Sequence, residues 1–445
     1  MAGATALGAW LALSAPWPAS PLVLAVIIAC GWWRARPVIV VVGCFGLATV
    51  LSAHAWAGAA PARSAPFAGV VTLLTDPRPL GPGVVAEAVS GDRHVELRAF
   101  GGSARRLRTR RAGEQLDVTG RSSPPSGRHA ARLRARHIVS VVDVTRVSFV
   151  GDGTALARSA NRARRLLEYG ARTMDPIDRS LYLGFVVGDD RGQPRELVDA
   201  FRASGLAHLS AVSGQNVAFL LAVAAPGLRR LQHRARWAAT LGLIGWFAVL
   251  TRFEPSVLRA SVMAALGATA LVSGRPAGAV RALGLTVTIV LLLDPLLIHS
   301  VGWWLSVAAT AGIAVLGPPL AARLPGPAAV RAALSVTLAA QLGVAPVSVA
   351  VFGPLPMASI PANLLAGPAA GPVMVYGLPA GLLAAVSPDP IATALQVPTV
   401  ALVRFIALVA VSASSWPLPR VGVPGLMVVT ALLVVVLRRP RRHRR

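Results

Sequence analysis

The chain has 445 residues, 54% of them hydrophobic, and its mean hydropathy is +0.62. A soluble globular domain does not have this balance, and apolar runs of about 17–22 residues, long enough to cross a bilayer, recur along most of the sequence. The 44 basic and 18 acidic residues give a net charge of +26. The two cysteines exclude a disulfide framework and a cysteine metal site. The composition therefore predicts a polytopic α-helical membrane protein.

Residues 1–60 are predicted to form an N-terminal membrane anchor. Within them, residues 5–33 contain three prolines and form either one broken helix or a short hairpin, whereas residues 38–57 form a continuous span. The first 33 residues have neither a basic n-region nor a clear cleavage site. We therefore expect an anchor rather than a cleaved signal peptide.

Residues 67–150 alternate apolar and polar positions and are punctuated by glycine and proline. Five short strands are expected, in FAGVVTLLT, GVVAEAV, HVELRAF, EQLDVTGR and HIVSVVDVTRVSFV, separated by turn signals such as DPRPLGPG. A module of this size suits a small β-barrel such as an OB-fold. Residues 154–178 place Leu156, Ala160 and Leu167 at helical spacing with arginines elsewhere, which predicts a basic amphipathic helix along the membrane surface.

Most of residues 180–437 is predicted to lie in the membrane. Together with the N-terminal spans, this region gives about 10–12 crossings, some of them broken at glycine and proline. The basic tail, residues 438–445, carries six arginines, and basic loops of membrane proteins lie on the cytoplasmic side. Counting back by alternation places residues 229–236 in the cytoplasm and residues 67–150 outside. We expect a multi-pass bacterial cell-membrane protein with an extracytoplasmic module and a cytoplasmic C-terminus.

The second half of the module is rich in arginine although it is predicted to lie outside. Because the positive-inside bias does not explain arginine there, we interpret it as a polyanion-binding surface whose guanidinium groups neutralise phosphates. Attraction to anionic lipid head groups is the alternative. The candidate DNA-binding residues are Arg105, Arg106, Arg108, Arg110, Arg111, Arg132, Arg134 and Arg136.

Five polar side chains lie within nine positions of the apolar segment 205–221, GLAHLSAVSGQNVAFLL. Hydrocarbon offers no water to such groups, so we expect them to face protein, a cavity or a substrate. Arg259 begins another apolar run, where snorkelling of its side chain is the alternative to a pathway role. Asp294, Gln341 and Asn363 are further polar residues in apolar surroundings. The predicted substrate-pathway residues are His208, Ser210, Ser213, Gln215, Asn216, Arg259, Gln341 and Asn363.

Asp189 and Asp190 are paired carboxylates ahead of a polar helix. Such a pair can hold a divalent cation or act in acid–base chemistry, so it is a possible polar or cation site. No histidine or third carboxylate follows at ligand spacing, and a loop at a helix start is the alternative. We predict no catalytic residue, no metal site and no cofactor.

Four ordered motifs resemble the ComEC family of competence proteins, the channels thought to bring DNA across the inner membrane of transformable bacteria. VGDDRGQPRELVDAFRASGLAHLSAVSG is similar to the family's most distinctive stretch, and PSVLRASVM to its arginine-containing helix start. LLLDPLLIHSVGWWLSVAATAGI and QLGVAPVSVAVFGPLPMASIPANLLAGP are similar to its Asp-Pro and Asn-Leu-Leu blocks. The resemblance covers nearly the whole chain, and the module at 67–150 is similar to the family's OB-fold region.

The resemblance implies a channel for single-stranded DNA in natural transformation, in which the module collects DNA and Arg259 meets its phosphates. It implies as partners single-stranded DNA, the lipid bilayer and other competence proteins, namely a DNA receptor, a translocation ATPase and a separate nuclease. Gln215 and Asn216 stand where the family commonly has Leu-His. Many members end in a metallo-β-lactamase-like domain, but no H-x-H-x-D-H pattern occurs here, so we expect neither nuclease nor other enzymatic activity.

Two alternatives to a DNA channel remain open from the sequence. One is a membrane enzyme or transporter for a smaller anionic lipid or glycan, with Asp189, Asp190 and His208 as acid–base groups. The other is a degenerate homologue that assembles in the membrane and transports nothing.

Overall fold

The computed structural model describes residues 1–11, 28, 37–210, 212–275, 278–425 and 427. The predicted tail 438–445, most of a predicted last span at 421–437 and the middle of segment 5–33 lie outside these residues. The described chain divides into two compact units. The first comprises Met1–Leu166, Ala225–Ala277 and Gly284–Trp303, and the second comprises Leu167–Ala224, Gly278–Leu283 and Trp304–Arg445.

Helices make up most of the described chain. In chain order they are α1 (Ala2–Leu11), α2 (Pro37–Gly58), α3 (Gly101–Arg108), α4 (Ala130–Arg134), α5 (Ala155–Gly170), α6 (Pro176–Val187), α7 (Arg195–Ala203), α8 (Gln215–Leu228), α9 (His233–Leu250), α10 (Pro255–Val272), α11 (Ala279–Leu293), α12 (Val301–Ala321), α13 (Ala328–Phe352), α14 (Ser359–Ala384) and α15 (Asp389–Ser414). Several begin at proline, which suits the first turn because the N–H that it lacks has no partner there.

Five helices of the described residues are long and apolar enough to cross a membrane: α2 over Ile39–Gly58, α10, α12, α13 and α15. The apolar helices α8 and α11 are shorter, with 14 and 15 residues. The chain is therefore a polytopic α-helical membrane protein. The larger number of crossings expected from the sequence stays a prediction.

The predicted strand-rich module is confirmed as six paired strands, β1 (Ala65–Leu73), β2 (Arg78–Leu80), β3 (Gly83–Ser90), β4 (Arg93–Ala99), β5 (Gln115–Ser123) and β6 (Ile138–Gly151). Their order is β1-β5-β6-β4-β3-β2, and β1 also pairs with β3, so that five strands close into a ring. Only the β4–β6 pair is parallel among these strands. The short strand β2 and the helix α3 were not predicted.

Alternation along the strands fills the inside of this ring. Val71, Leu73, Leu97 and Leu116 are buried there, and each such side chain stabilises the fold by ~1.5–3 kcal/mol relative to an exposed position. Helix α3 places Leu107 in the same core. The remaining positions of α3 are free to carry charge towards solvent.

Helix α5 confirms a helix within the predicted residues 154–178, although it ends at Gly170, and Ala160 and Leu167 of its predicted apolar face are buried. Leu156, expected on that face, is 47% exposed, whereas Asn161 and Arg164 are buried beside Ala157 and Ala160. Burying a guanidinium group requires a partner charge. Asp76 supplies this charge, so the buried side of α5 includes Arg164 as well as apolar residues.

Asp76, in the loop after β1, joins three distant parts of the first unit. Its Oδ2 lies 3.1 Å from Nη2 of Arg164 on α5, and its Oδ1 lies 2.9 Å from Nη2 of Arg252, directly after α9. The backbone N–H of Ala112 donates to Oδ1 at 2.8 Å. Arg164 also donates from Nη1 to the carbonyl oxygen of Leu250 at 2.7 Å.

The Asp76 carboxylate is ionised because of these cations. Burial by itself raises its pKa, but the guanidinium groups of Arg164 and Arg252 outweigh burial and hold the pKa of Asp76 well below its usual range. Arg252 also donates to Oδ1 of Asn161 at 2.7 Å. The module, α5 and the end of α9 thus share one buried polar cluster.

The turn between α9 and α10 is strained. Arg252 and Phe253 have φ values of 60° and 54°, a left-handed conformation that costs roughly 1–3 kcal/mol for a residue with a side chain. The hydrogen bonds of Arg252 to Asp76 and Asn161 hold the turn in this conformation. The buried cluster around Asp76 therefore also fixes the direction in which the chain continues from this turn into α10.

Helices α12 and α13 of the second unit cross at close range. A Cβ atom added at Gly312 would overlap the carbonyl oxygen of Ala339, and one added at Gly343 would overlap that of Ala308. Each helix thus presents small residues four positions apart to the other. Such small-xxx-small pairs allow backbones to approach in a membrane, where packing replaces the hydrophobic effect as the driving force.

Replacing Asp76 by asparagine should destabilise the first unit by about 3–5 kcal/mol, because Arg164 and Arg252 would keep their charges without a buried counterion. Since folding depresses the pKa of Asp76, its contribution in the natural protein is complete above the unfolded-state pKa of about 3.9 and is lost as the pH falls below it. Thermal unfolding of the full chain in detergent between pH 3 and pH 7 measures both effects. Asp92→Asn, at an exposed turn of the same module, is the control. Equal losses in the two variants would contradict the role of the cluster.

Gly343→Leu should destabilise the α12–α13 crossing by about 1–3 kcal/mol, because the added side chain enters occupied space. Gly317→Ala is the control, since the nearest atom to its new Cβ is 4.0 Å away. The unfolding temperature in detergent reports the difference. An unchanged value for Gly343→Leu would show that the helices do not approach as described.

Candidate functional site

The polar segment that precedes α8 is not helical. The sequence predicts a membrane span over residues 206–226, but helix α8 begins only at Gln215, so this prediction is wrong for the first part of the span. Gly205 has a φ of 74°, which ends the preceding helical turn, and a Cβ atom there would overlap Ser359 at the start of α14. The polar side chains that follow compete with the backbone for hydrogen bonds. An irregular backbone results.

Asn216 is the buried centre of this segment. Its Nδ2 donates to the carbonyl oxygen of Phe185 at 2.8 Å, and its Oδ1 accepts from Oγ of Ser213 at 3.3 Å. Phe185 lies in the last turn of α6, where backbone carbonyls have no partner inside the helix. Asn216 therefore caps α6 from the first turn of α8.

His208 meets the start of α14. It lies near the backbone of Gly205 and the side chain of Asn363, and it remains exposed. Asn363 in turn donates from Nδ2 to the carbonyl oxygen of Ser359 at 2.7 Å. Two of the predicted pathway residues are thus brought together, although they are far apart in sequence.

The segment between α5 and α8 extends along α14 from one end to the other. Arg172 donates to the carbonyl oxygen of Ala384 at 3.0 Å, at the C-terminal end of α14, whereas Gly205 contacts Ser359 at its N-terminal end. The 26 residues of α14 correspond to about 39 Å, more than the hydrocarbon thickness. This distance is covered by two short helices, α6 and α7, and the polar loop between them.

The other predicted pathway residues have separate surroundings. Ser210 accepts at its carbonyl oxygen from Nε2 of Gln193 at 3.3 Å, and Gln215 is exposed at the start of α8. Gln341 is half-buried on α13. Arg259 belongs to the first unit, on α10, where Nη1 lies 3.3 Å from Sδ of Met263. Their joint role in one pathway stays a prediction.

Asp189 and Asp190 differ in their surroundings. Both oxygens of Asp189 accept from Arg191, from Nε at 2.8 Å and from Nη2 at 2.5 Å, and Asp189 is buried. Asp190 is exposed. No group of three histidine, cysteine or acidic residues within the described ranges has a metal-binding arrangement. Arg191 thus occupies the place that a cation would take beside Asp189.

The predicted DNA-binding arginines fall into two groups. Arg134 stacks on Trp56, and Arg136 forms an ion pair with Glu87. Arg110 lies 4.8 Å above Phe149 and pairs with Glu114, and Arg111 is half-buried. The other four are exposed and have no ion pair within the described residues: Arg105, Arg106, Arg108 and Arg132. Three of these four lie on α3.

A groove of about 900 Å³ opens on another side of the module, next to the segment that follows α2. Exposed Arg63 and Arg93, the half-buried ring of Phe67 and the hydroxyls of Ser122 and Ser140 are among its lining residues. Asp92 adds one carboxylate to this lining. The volume lies within the usual range of ligand sites, about 300–1,000 Å³. Arginine next to an aromatic ring is the combination that binds phosphate and base in a single strand.

Sequence reasoning missed two ion pairs that organise the helices. One is the Asp76 cluster, and the other joins Asp178 on α6 to Arg404 on α15, with Nη2 and Oδ2 at 2.7 Å. Arg404 gives a sequence signal, because it is a single charge inside a long apolar run. Asp178 gives none beyond its place after the proline that begins α6. The sequence identified Asn216 as a candidate residue, but it did not identify the Phe185 carbonyl to which Asn216 donates.

Comparison with known proteins assigns the chain to a family. A family model described as competence protein matches residues 185–442, more than half of the chain. A protein of Escherichia coli (strain K12), the uncharacterized protein YcaI, is 32% identical over 213 residues, which are 44% of this chain and 28% of YcaI. The chain thus spans less than a third of that curated relative. No solved structure matches. In agreement with the motifs at 187–214 and beyond, the chain belongs to the competence protein family.

Proposed function

We propose that the chain is an inner-membrane channel through which single-stranded DNA enters the cell during natural transformation. The observation that carries the proposal is the irregular polar segment around His208 and Asn216. It lies in the part matched by the competence family model, and it packs against the start of α14. In a membrane, irregular backbone is tolerated where protein or a water-filled cavity covers it.

We further propose that the module is an OB-like barrel that faces outwards and collects DNA. The closed ring of five strands, the parallel pairing of β4 with β6 and the helix α3 between β4 and β5 support this fold. The exposed arginines of α3 support a phosphate-binding surface, and the groove beside Phe67 supports a preference for unpaired bases. The arginines of residues 229–236 support a cytoplasmic place for that loop and for the C-terminus.

The channel transports DNA and performs no chemistry of its own in this proposal. Asp189, a candidate acid–base group, is paired to Arg191. No P-loop pattern occurs in the sequence, so the energy comes from a separate translocation ATPase. A DNA receptor and a separate nuclease complete the set of proposed partners, alongside single-stranded DNA and the bilayer.

Deleting the gene and measuring uptake of labelled DNA tests the channel. Uptake should disappear on deletion and return with the natural chain. Asn216→Leu should lower uptake about tenfold or more, because the Phe185 carbonyl loses its cap and a polar contact is removed. Val386→Ala, at an exposed position after α14, is the control, and membrane levels of both variants are compared. Normal uptake without the gene would contradict the proposal.

Replacing Arg105, Arg106 and Arg108 by glutamine should weaken binding of an oligonucleotide to the full chain in detergent. Each lost phosphate contact should lower the slope of log affinity against log salt by about 0.7. The control removes the same charge elsewhere, in Arg229→Gln, Arg230→Gln and Arg234→Gln.

A second variant addresses the groove in the same assay. Phe67→Leu should weaken binding of single strands and leave duplex binding unchanged, because only unpaired bases stack on the ring. For the arginines of α3, equal oligonucleotide affinities of the variant lacking Arg105, Arg106 and Arg108 and of its charge-matched control would contradict the assignment of a phosphate-binding surface to this helix.

A further inference from the structure

The second unit contains an arginine in the middle of a membrane-spanning helix. Helix α15 has 26 residues, Asp389–Ser414, and Arg404 lies 15 residues after its first residue and 10 before its last. About 20 residues cross the hydrocarbon layer. Any stretch of 20 within this helix includes Arg404, so its backbone lies inside the layer wherever the helix is placed along its axis.

Only one side of the Arg404 guanidinium meets protein in this unit. Nε donates to Oδ2 of Asp178 at 2.8 Å, and Nη2 lies 2.7 Å from the same oxygen in an ion pair. The Asp178 side chain is 7% exposed, whereas that of Arg404 is 64% exposed. Nη1 therefore remains available for a second acceptor on the open side.

The surroundings of that open side are apolar. Ala401, Phe405 and Leu408 share the exposed face of α15 with Arg404. A guanidinium facing lipid from the middle of a span is unfavourable, and charged residues at such depth face a cavity containing water, partner groups or a substrate. The side chain cannot snorkel freely to the surface, because a hydrogen bond and an ion pair to Asp178 hold it on α6.

We propose that the open side of Arg404 lines a water-filled part of the route for DNA and binds the passing phosphates one after another. The inference rests on the proposed channel function and adds a residue to it. A guanidinium group fits phosphate with two parallel hydrogen bonds. Asp178 already neutralises part of its charge, so each phosphate is held only transiently. Sites that pass ions along must bind weakly enough to release them.

The test measures water access beside Arg404 in the full chain reconstituted in lipid vesicles. Cys30 and Cys44 are replaced by alanine, and Ala401→Cys then places one thiol on the exposed face, a turn from Arg404. Val403→Cys, at a buried position, is the matched control. Two water-soluble thiol reagents of opposite charge are compared. Phe405→Cys provides a second thiol on the exposed face in case Ala401→Cys does not assemble.

The thiol at residue 401 should react with both reagents, with the negative one about tenfold faster, because a fixed cation concentrates anions near it. Arg404→Gln should remove this preference, and an oligothymidylate should protect the thiol in the natural background. Reaction with a lipid-soluble maleimide alone, disulfide linkage to a second copy, or absence of protection by the oligonucleotide would each overturn the proposal. DNA uptake by cells is measured separately. A failure of the proposal about Arg404 can therefore be distinguished from a failure of the proposed channel function.

Discussion

The contact of Asp76 with Arg164 and Arg252 determines how the first unit is assembled. One carboxylate from the loop after β1 holds guanidinium groups from α5 and from the end of α9. Without it, the buried guanidinium of Arg164 and the half-buried one of Arg252 would repel each other next to the end of α9, at a cost of several kcal/mol. The burial of Arg164 on α5 and the left-handed turn at Arg252 both accompany the pairing with this one acid. A module built of strands is thereby joined to helices that cross the membrane.

The second unit solves a related problem with neutral groups. Its polar side chains find partners over short distances, as Asn216 does with the Phe185 carbonyl and the Ser213 hydroxyl. Two of its buried carboxylates are paired with arginines, Asp189 with Arg191 and Asp178 with Arg404. A buried polar group without a partner costs a large part of its hydration energy. The irregular backbone between α6 and α8 is stabilised where the C-terminal turn of α6 is capped by Asn216 from the first turn of α8.

Periodicity was sufficient for the parts of the fold that depend on neighbours in sequence. The five main strands and the helix at α5 follow from alternation and helical spacing. Ala160 and Leu167 on the predicted face of α5 are buried, but the burial of Arg164 could not be predicted, because it depends on an acid in another part of the chain. Strand β2 was missed since three residues with proline resemble a turn, and α3 since arginines dominate its sequence. In the site, the sequence identified Asn216 as unusual, but which carbonyl it caps is decided only when α6 and α8 come together.

Arginines in this chain have different strengths as phosphate ligands because their partners differ. Those of α3 are exposed and have no ion pair within the described residues, so they carry their full charge towards solvent. Arg404 is held by a carboxylate, and a phosphate must compete with Asp178 for it. A surface of the first kind favours capture, whereas a site of the second kind favours release, because the acid restores the pair as soon as the phosphate leaves. A channel for a polyanion needs both properties, since a strand bound with equal strength along its route would not move.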